Sequence, residues 1–160
     1  MTEPRWLDAE ELRAWQAFLA AGALVGRRVE QQLKDQAGLS HVQYEVLVRL
    51  AGAEHGEVRM NELADALFTS KSGLSYQIGQ MEKCGLVRRR PCDREARGVL
   101  ACLTDLGRAK LAEVAPGHVE AVRGYVLDRL ERRELTLVAD ALERIADGAA
   151  EGADWRPPGV

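Results

Sequence analysis

The chain has 160 residues, of which 46% are hydrophobic and 29% charged: one soluble domain with a sizeable core, too short for two full ones. Its 22 basic and 25 acidic side chains leave a net charge of −3, and its longest apolar run, Ala17 to Gly26, is about half the ~20 residues a membrane-spanning helix needs. Acids (Glu3, Asp8, Glu10, Glu11) stand where a secretory leader would be basic, and three sparse cysteines (Cys84, Cys92, Cys102) suit a reducing compartment; membrane, secreted and disulfide-scaffold classes are disfavoured and a cytoplasmic location is expected.

Asp8, followed by Glu10 and Glu11, signals a helix start, and Leu12, Trp15, Leu19, Ala23, Val29 and Leu33 predict an amphipathic helix of at least about 25 residues ending at Gly38. That is long for a small domain and needs something to pack against, a core or a second subunit. Ser40 with Gln43 forms a capping-box pattern for a second helix, whose apolar side is Tyr44, Val46, Leu47 and Leu50. Val58-Arg59-Met60 reads as a very short strand. A third helix starts near Asn61, with Leu63, Ala64, Leu67 and Phe68 as its expected buried stripe.

Thr69-Ser70-Lys71-Ser72 caps a fourth helix running to about Lys83. Leu74, Ile78 and Met81 define its inward face, which leaves Lys71, Ser72, Ser75, Tyr76 and Gln80 on outer or flanking faces, with Gln77 at the margin. Gly85 stops it. Leu86–Arg90 and Val99–Leu103 read as the strands of a hairpin with a polar, charged tip between Pro91 and Gly98. Thr104 caps a fifth helix that Pro116-Gly117 is expected to break or kink. The apolar pattern resumes with Val119, Val122, Val126 and Leu130, and a last helix uses Leu135, Val138, Leu142 and Ile145. The Gly/Pro-rich end, which holds Trp155, is expected to fray.

Short helices joined by a tight connection and followed by a basic hairpin make a winged helix-turn-helix. A helix about 10–12 Å across fits the major groove of B-form DNA, its N-terminal amides favour phosphate, and an arginine on the wing can enter a narrow minor groove. Charge supports this. Thr69 to Lys110 holds nine basic and four acidic residues, a local +5 that leaves −8 on the rest of the chain. Ser70, Lys71, Ser72, Ser75, Tyr76, Gln77 and Gln80 are the candidate major-groove residues; Arg88, Arg90, Arg94 and Arg97 are the candidates from the hairpin.

Four runs taken in order, Met60-Asn61-Glu62-Leu63-Ala64-Asp65-Ala66-Leu67, Ser70-Lys71-Ser72-Gly73-Leu74-Ser75, Met81-Glu82-Lys83-Cys84-Gly85-Leu86-Val87-Arg88-Arg89 and Leu103-Thr104-Asp105-Leu106-Gly107-Arg108, resemble the multiple-antibiotic-resistance-regulator (MarR) family of bacterial transcription factors. The resemblance covers about Leu7 to Ala149. It implies an α+β, mostly α chain with a winged helix-turn-helix at 39–103 and dimerisation helices at 7–37 and 104–149. It also implies a homodimer with interlocked terminal helices on a pseudo-palindromic double-stranded operator, acting as a repressor, with recognition helices about 34 Å apart. The family's wing carries Asp-x-Arg, where this chain has Glu95-Ala96-Arg97 preceded by Asp93-Arg94; Arg97 is the expected minor-groove residue and Arg94 its rival.

Similar regulators bind small aromatic or phenolic effectors between the dimer helices and the DNA-binding lobe. Trp15, Phe18, His41, Tyr44, Arg49 and His118 are the candidate lining, although Trp15 and Phe18 have core spacing and His118 can equally be an exposed side chain after the Pro116 kink. Redox control through Cys84, beside Lys83 and Arg88, is the alternative mechanism, and a winged-helix protein-interaction module that reads no DNA is the alternative class. No paired Cys/His spacing marks a metal site, no cofactor is expected, and no phosphate loop, nucleophile elbow or His-Glu-x-x-His run marks an enzyme.

Overall fold

The computed structural model describes residues 3–92 and 98–150. Helix α1 (Ala9–Ala37) is closed at both ends as its sequence demands. Asp8 accepts hydrogen bonds from the amides of Glu10 and Glu11 while Glu11 reaches back to the Asp8 amide, and Gly38 takes the left-handed conformation at φ 66°. Helix α2 (His41–Gly52) starts with the reciprocal Ser40–Gln43 capping box. Strand β1 (Glu57–Arg59) leads into α3 (Met60–Ala66), and α4 (Lys71–Lys83) begins at Ser70, whose hydroxyl accepts from the Gly73 amide at 3.0 Å. Strands β2 (Val87–Pro91) and β3 (Val99–Leu103) form the hairpin, followed by α5 (Asp105–Tyr125) and α6 (Arg132–Ala150). Among the described residues no helix is long and apolar enough to cross a membrane.

The sheet is antiparallel in the order β1-β3-β2, with Glu57 and Arg88 both in register with Cys102. Its inner face supplies Val87 and Ala101 to a core that also holds Val46, Leu47 and Leu50 of α2, Leu63 and Ala64 of α3, and Leu74, Ile78 and Met81 of α4. A second, smaller cluster joins α1 (Val29, Leu33), α2 (Tyr44) and α5 (Val114). It fastens the winged-helix lobe to the long helices. This is a mostly helical α+β winged helix-turn-helix.

Two local expectations are corrected. Phe68 does not complete the buried stripe of α3: it follows the helix end, takes φ 52° and is 60% exposed. Of the break or kink expected at Pro116, the break does not occur: α5 continues from Asp105 to Tyr125. An interior proline costs a helix about 3 kcal/mol. Burial of Val114 and His118, on either side of Pro116, supplies tertiary packing that offsets it.

Candidate nucleic-acid interface

The Leu74–Ile78–Met81 stripe roots α4 in the core, and this orientation determines which side chains look outward. Lys71, Ser72 and Ser75 are exposed, Tyr76 is 65% exposed, and Gln80 is half-buried. Ser70 is exposed, but its hydroxyl is occupied as the helix cap and lies 3.3 Å from the Ser72 hydroxyl. Gln77 turns toward α2, where its side-chain oxygen accepts from Gln43 Nε2 at 3.0 Å. That contact makes it a strut between the two helices.

The three consecutive hairpin arginines have separate fates. Arg88 is exposed on the outer face of the sheet. Arg89 locks the wing onto α4: its Nη1 and backbone amide donate to the two Glu82 carboxylate oxygens at 2.9 Å, and its Nη2 donates to the Ser75 carbonyl at 2.5 Å and hydroxyl at 3.2 Å. Arg90 pairs with Glu57 across β3, Nε to Oε1 at 3.0 Å and Nη2 to Oε2 at 2.5 Å. Arg90, expected among the groove residues, therefore has its fork filled by a carboxylate of its own sheet. The Cys92 amide donates to the Gly98 carbonyl and closes the hairpin. Arg94 and Arg97 lie outside the described residues, as does Trp155.

The Glu57–Arg90 pair has a pH signature. Arg90 holds the Glu57 carboxyl down at about 2, from an ordinary 4.5. A depressed folded-state value means that the stabilisation is complete above 4.5 and is lost as pH falls through about 2. Glu57→Gln should therefore lose about 1 kcal/mol at neutral pH, with solvent screening allowed for, and shed less stability than wild type between pH 4.5 and 2. Urea denaturation across that range checks it. Parallel losses in the two proteins would refute the pairing.

A second constellation lies behind α2. His41 Nε2 sits 3.6 Å from Glu45 Oε1 one turn along the helix, and His118 of α5 packs its ring 4.2 Å from Tyr44 and 6.0 Å from His41. The Glu45 carboxylate raises the His41 pKa and His41 lowers that of Glu45, whereas burial, aided by the His41 charge, lowers that of His118. The His41 amide also donates to Glu30 of α1 at 2.7 Å. Beside these groups opens a cavity of about 320 Å³ lined by His41, Val42, Glu45, Arg49, Ala66, Leu67 and Phe68.

Of the six side chains expected around an effector, His41 and Arg49 line this cavity, and Tyr44 and His118 adjoin it through ring contacts. His118 is buried, not an exposed side chain beyond a kink. Trp15 and Phe18 neither line the cavity nor join a core; they stack on each other at 6.0 Å on the exposed side of α1. Glu45 and Glu57 were not singled out from the sequence, although the four-residue His41–Glu45 spacing was a readable signal.

The fold and much of the sequence are shared with known regulators. The chain superposes with a TM-score of 0.88 on Sco3205, a MarR family transcriptional regulator from Streptomyces coelicolor in complex with DNA, at 40% identity over 92% of each chain. The chain belongs to the MarR family. A second MarR family transcriptional regulator from the same organism, AbsC, matches with a TM-score of 0.88 and 39% identity, over 92% of this chain and 99% of that one. The MarR family model itself matches residues 37–98, which run from the end of α1 into the hairpin. Over 144 residues the chain is 29% identical to a LexA repressor of Arthrobacter sp. (strain FB24), of which it spans 58%. As a MarR family member it is a transcriptional regulator and not an enzyme. Its cysteines are free, with Cys84 exposed and Cys102 buried; burial and then the adjoining Glu57 push the Cys102 thiol pKa up, away from the reactive thiolate.

Proposed function

We propose that this MarR family chain works as a homodimeric repressor that binds a pseudo-palindromic operator and answers to a small effector. The observation that carries the DNA-binding part is the outward face of α4, where Lys71, Ser72, Ser75 and Tyr76 stand exposed; Arg88 is exposed on the wing strand that Arg89 ties to α4. Lys71 supplies phosphate affinity. Hydroxyls and the Gln80 amide supply contacts to base edges. Arg97, with Arg94 as its rival, reaches the flanking minor groove. That a relative of known structure at 40% identity is bound to DNA supports the same use here.

The effector reading rests on the cavity. Its volume is at the small end of the range for ligand sites. Val42, Ala66, Leu67 and Phe68 offer an apolar wall for an aromatic ring, and Arg49 offers a cation for a carboxylate or phenolate. The wall includes Leu67 and Phe68, three and two residues before Ser70, so an occupant bears on the segment that aims α4.

A duplex selected by the wild-type chain from a random-sequence library serves as the probe. Affinity should fall steeply with salt as phosphate neutralisation releases counterions. Arg97→Ala should weaken binding about tenfold or more at fixed salt with no change in sedimentation. Unchanged affinity would remove Arg97 from the interface. Failure to bind any duplex even at low salt would favour a winged-helix protein-interaction module.

A further inference from the structure

We propose that His41, Glu45 and His118 form a binding site for one divalent first-row transition cation of the zinc class, tying α2 to α5. One donor atom from each residue lies within 4.8 Å of the other two. Two donors come from a single helix turn, because His41 and Glu45 are four residues apart on α2. The third comes from α5, 73 residues beyond Glu45 in the chain.

An independent observation points to a ligand. His118 is nine-tenths buried, and among the described residues its Nδ1 has no hydrogen-bond partner. A buried ring nitrogen left unpaired costs about 1–3 kcal/mol, and native structures normally satisfy such an atom with protein, water or an ion. A cation bound through Nδ1 would give that atom the bond it lacks.

The donor set selects the metal. Two imidazoles and one carboxylate suit Zn²⁺, Co²⁺ or Ni²⁺, whereas Mg²⁺ and Ca²⁺ want oxygen throughout. Three protein ligands on a tetrahedral ion leave a fourth position open to water or another donor. Bond lengths of about 2.0–2.2 Å put tetrahedral donors about 3.3 Å apart, so the observed spread must tighten by about 1.5 Å at most. His41 and Glu45 are half-buried, so their side chains are the ones with room to rotate toward His118. His41 and Glu45 also line the cavity, which gives an ion a way in.

The position gives such an ion leverage. Helix α2 belongs to the core of the winged-helix lobe, and α5 carries the chain away from it. An ion shared between them stiffens the joint that sets the angle of the lobe. This site stands on its own geometry and does not depend on the chain reading DNA.

The test uses the tag-free, metal-stripped chain titrated with Co²⁺. The expected result is one ion per chain with the intense visible absorption of a low-coordinate site, displaced by Zn²⁺, and a melting temperature that rises with Zn²⁺ concentration. Glu45→Gln and His118→Ala should each weaken Co²⁺ binding by about a hundredfold or more, beyond the ~10–100-fold that loss of an outer-shell partner costs, while retaining helical circular dichroism. Should His118→Ala not fold, half-buried Glu45→Gln decides alone. No saturable Co²⁺ or Zn²⁺ binding overturns the site, and so does affinity unchanged in Glu45→Gln.

Discussion

Gly107→Ala should cost about 3 kcal/mol or more of stability, although alanine is the better helix former by about 1 kcal/mol. Gly107 is in the first turn of α5, where it passes the start of the wing. A Cβ there would fall on the Leu86 carbonyl oxygen, 3.0 Å from the carbonyl carbon and 2.8 Å from Leu103 Cδ1. A backbone carbonyl cannot rotate aside as a side chain can. Either α5 lifts off the wing or β2 moves, and both disturb a joint built on Thr104. Its hydroxyl lies 2.6 Å and 2.9 Å from the Gly85 and Leu86 carbonyls and accepts from the Gly107 amide at 3.0 Å. Gly124→Ala, in the last turn of the same helix with open space around its Cβ, is the control and should be neutral to stabilising by up to about 1 kcal/mol. Urea denaturation of the two variants separates the effects. Equal stabilities would mean that the close approach does not constrain the fold.

The contrast between these glycines also shows where a single sequence stops informing. Features set by neighbours within four residues were legible: the Ser40–Gln43 box, the Ser70 cap, the Leu74–Ile78–Met81 stripe and the left-handed Gly38. Their physics is local, so spacing and residue type suffice. The winged helix-turn-helix followed from these pieces in order. What escaped were partners far apart in the chain. Arg90 looked like a groove arginine because its composition is that of one; Glu57, 33 residues earlier, takes its guanidinium instead. Gln77 looked marginal to the groove, and Gln43, 34 residues away, draws it inward. His118 followed a proline-glycine pair that implied an exposed turn. Packing against Tyr44 kept the helix intact and buried the ring, because tertiary contacts outweighed local propensity. Charge counting likewise treated nine basic residues as one field, yet Arg89 and Arg90 are largely neutralised by Glu82 and Glu57.

Val138→Asp combined with Leu142→Asp should convert the chain to a folded or loosened monomer and lower operator affinity about 10²–10⁴-fold. Among the described residues, nothing covers the apolar face of α6. Val138, Leu142 and Ile145 recur at four and three residues on α6, yet no residue of α6 is buried. Leu12, Phe18, Leu19 and Leu24 of α1 are also exposed, and α1 is far longer than the stretch that Val29 and Leu33 anchor. Apolar stripes on two terminal helices are the surface that the proposed dimer would cover, because apolar side chains are more stable out of water. In the proposed dimer the stripes cover each other, and obligate interfaces of this kind run to about 2,000 Å² or more. Two aspartates per subunit place four charges in that seam, each costly to desolvate without a partner. Dimerisation matters to the operator because the second half-site is then bound at an effective concentration of about millimolar, which is the source of the expected loss. Sedimentation velocity reads the assembly and fluorescence anisotropy on the selected duplex reads the affinity. A variant that stays dimeric would move the interface off α6. A monomer that keeps full affinity would show that one winged helix is enough.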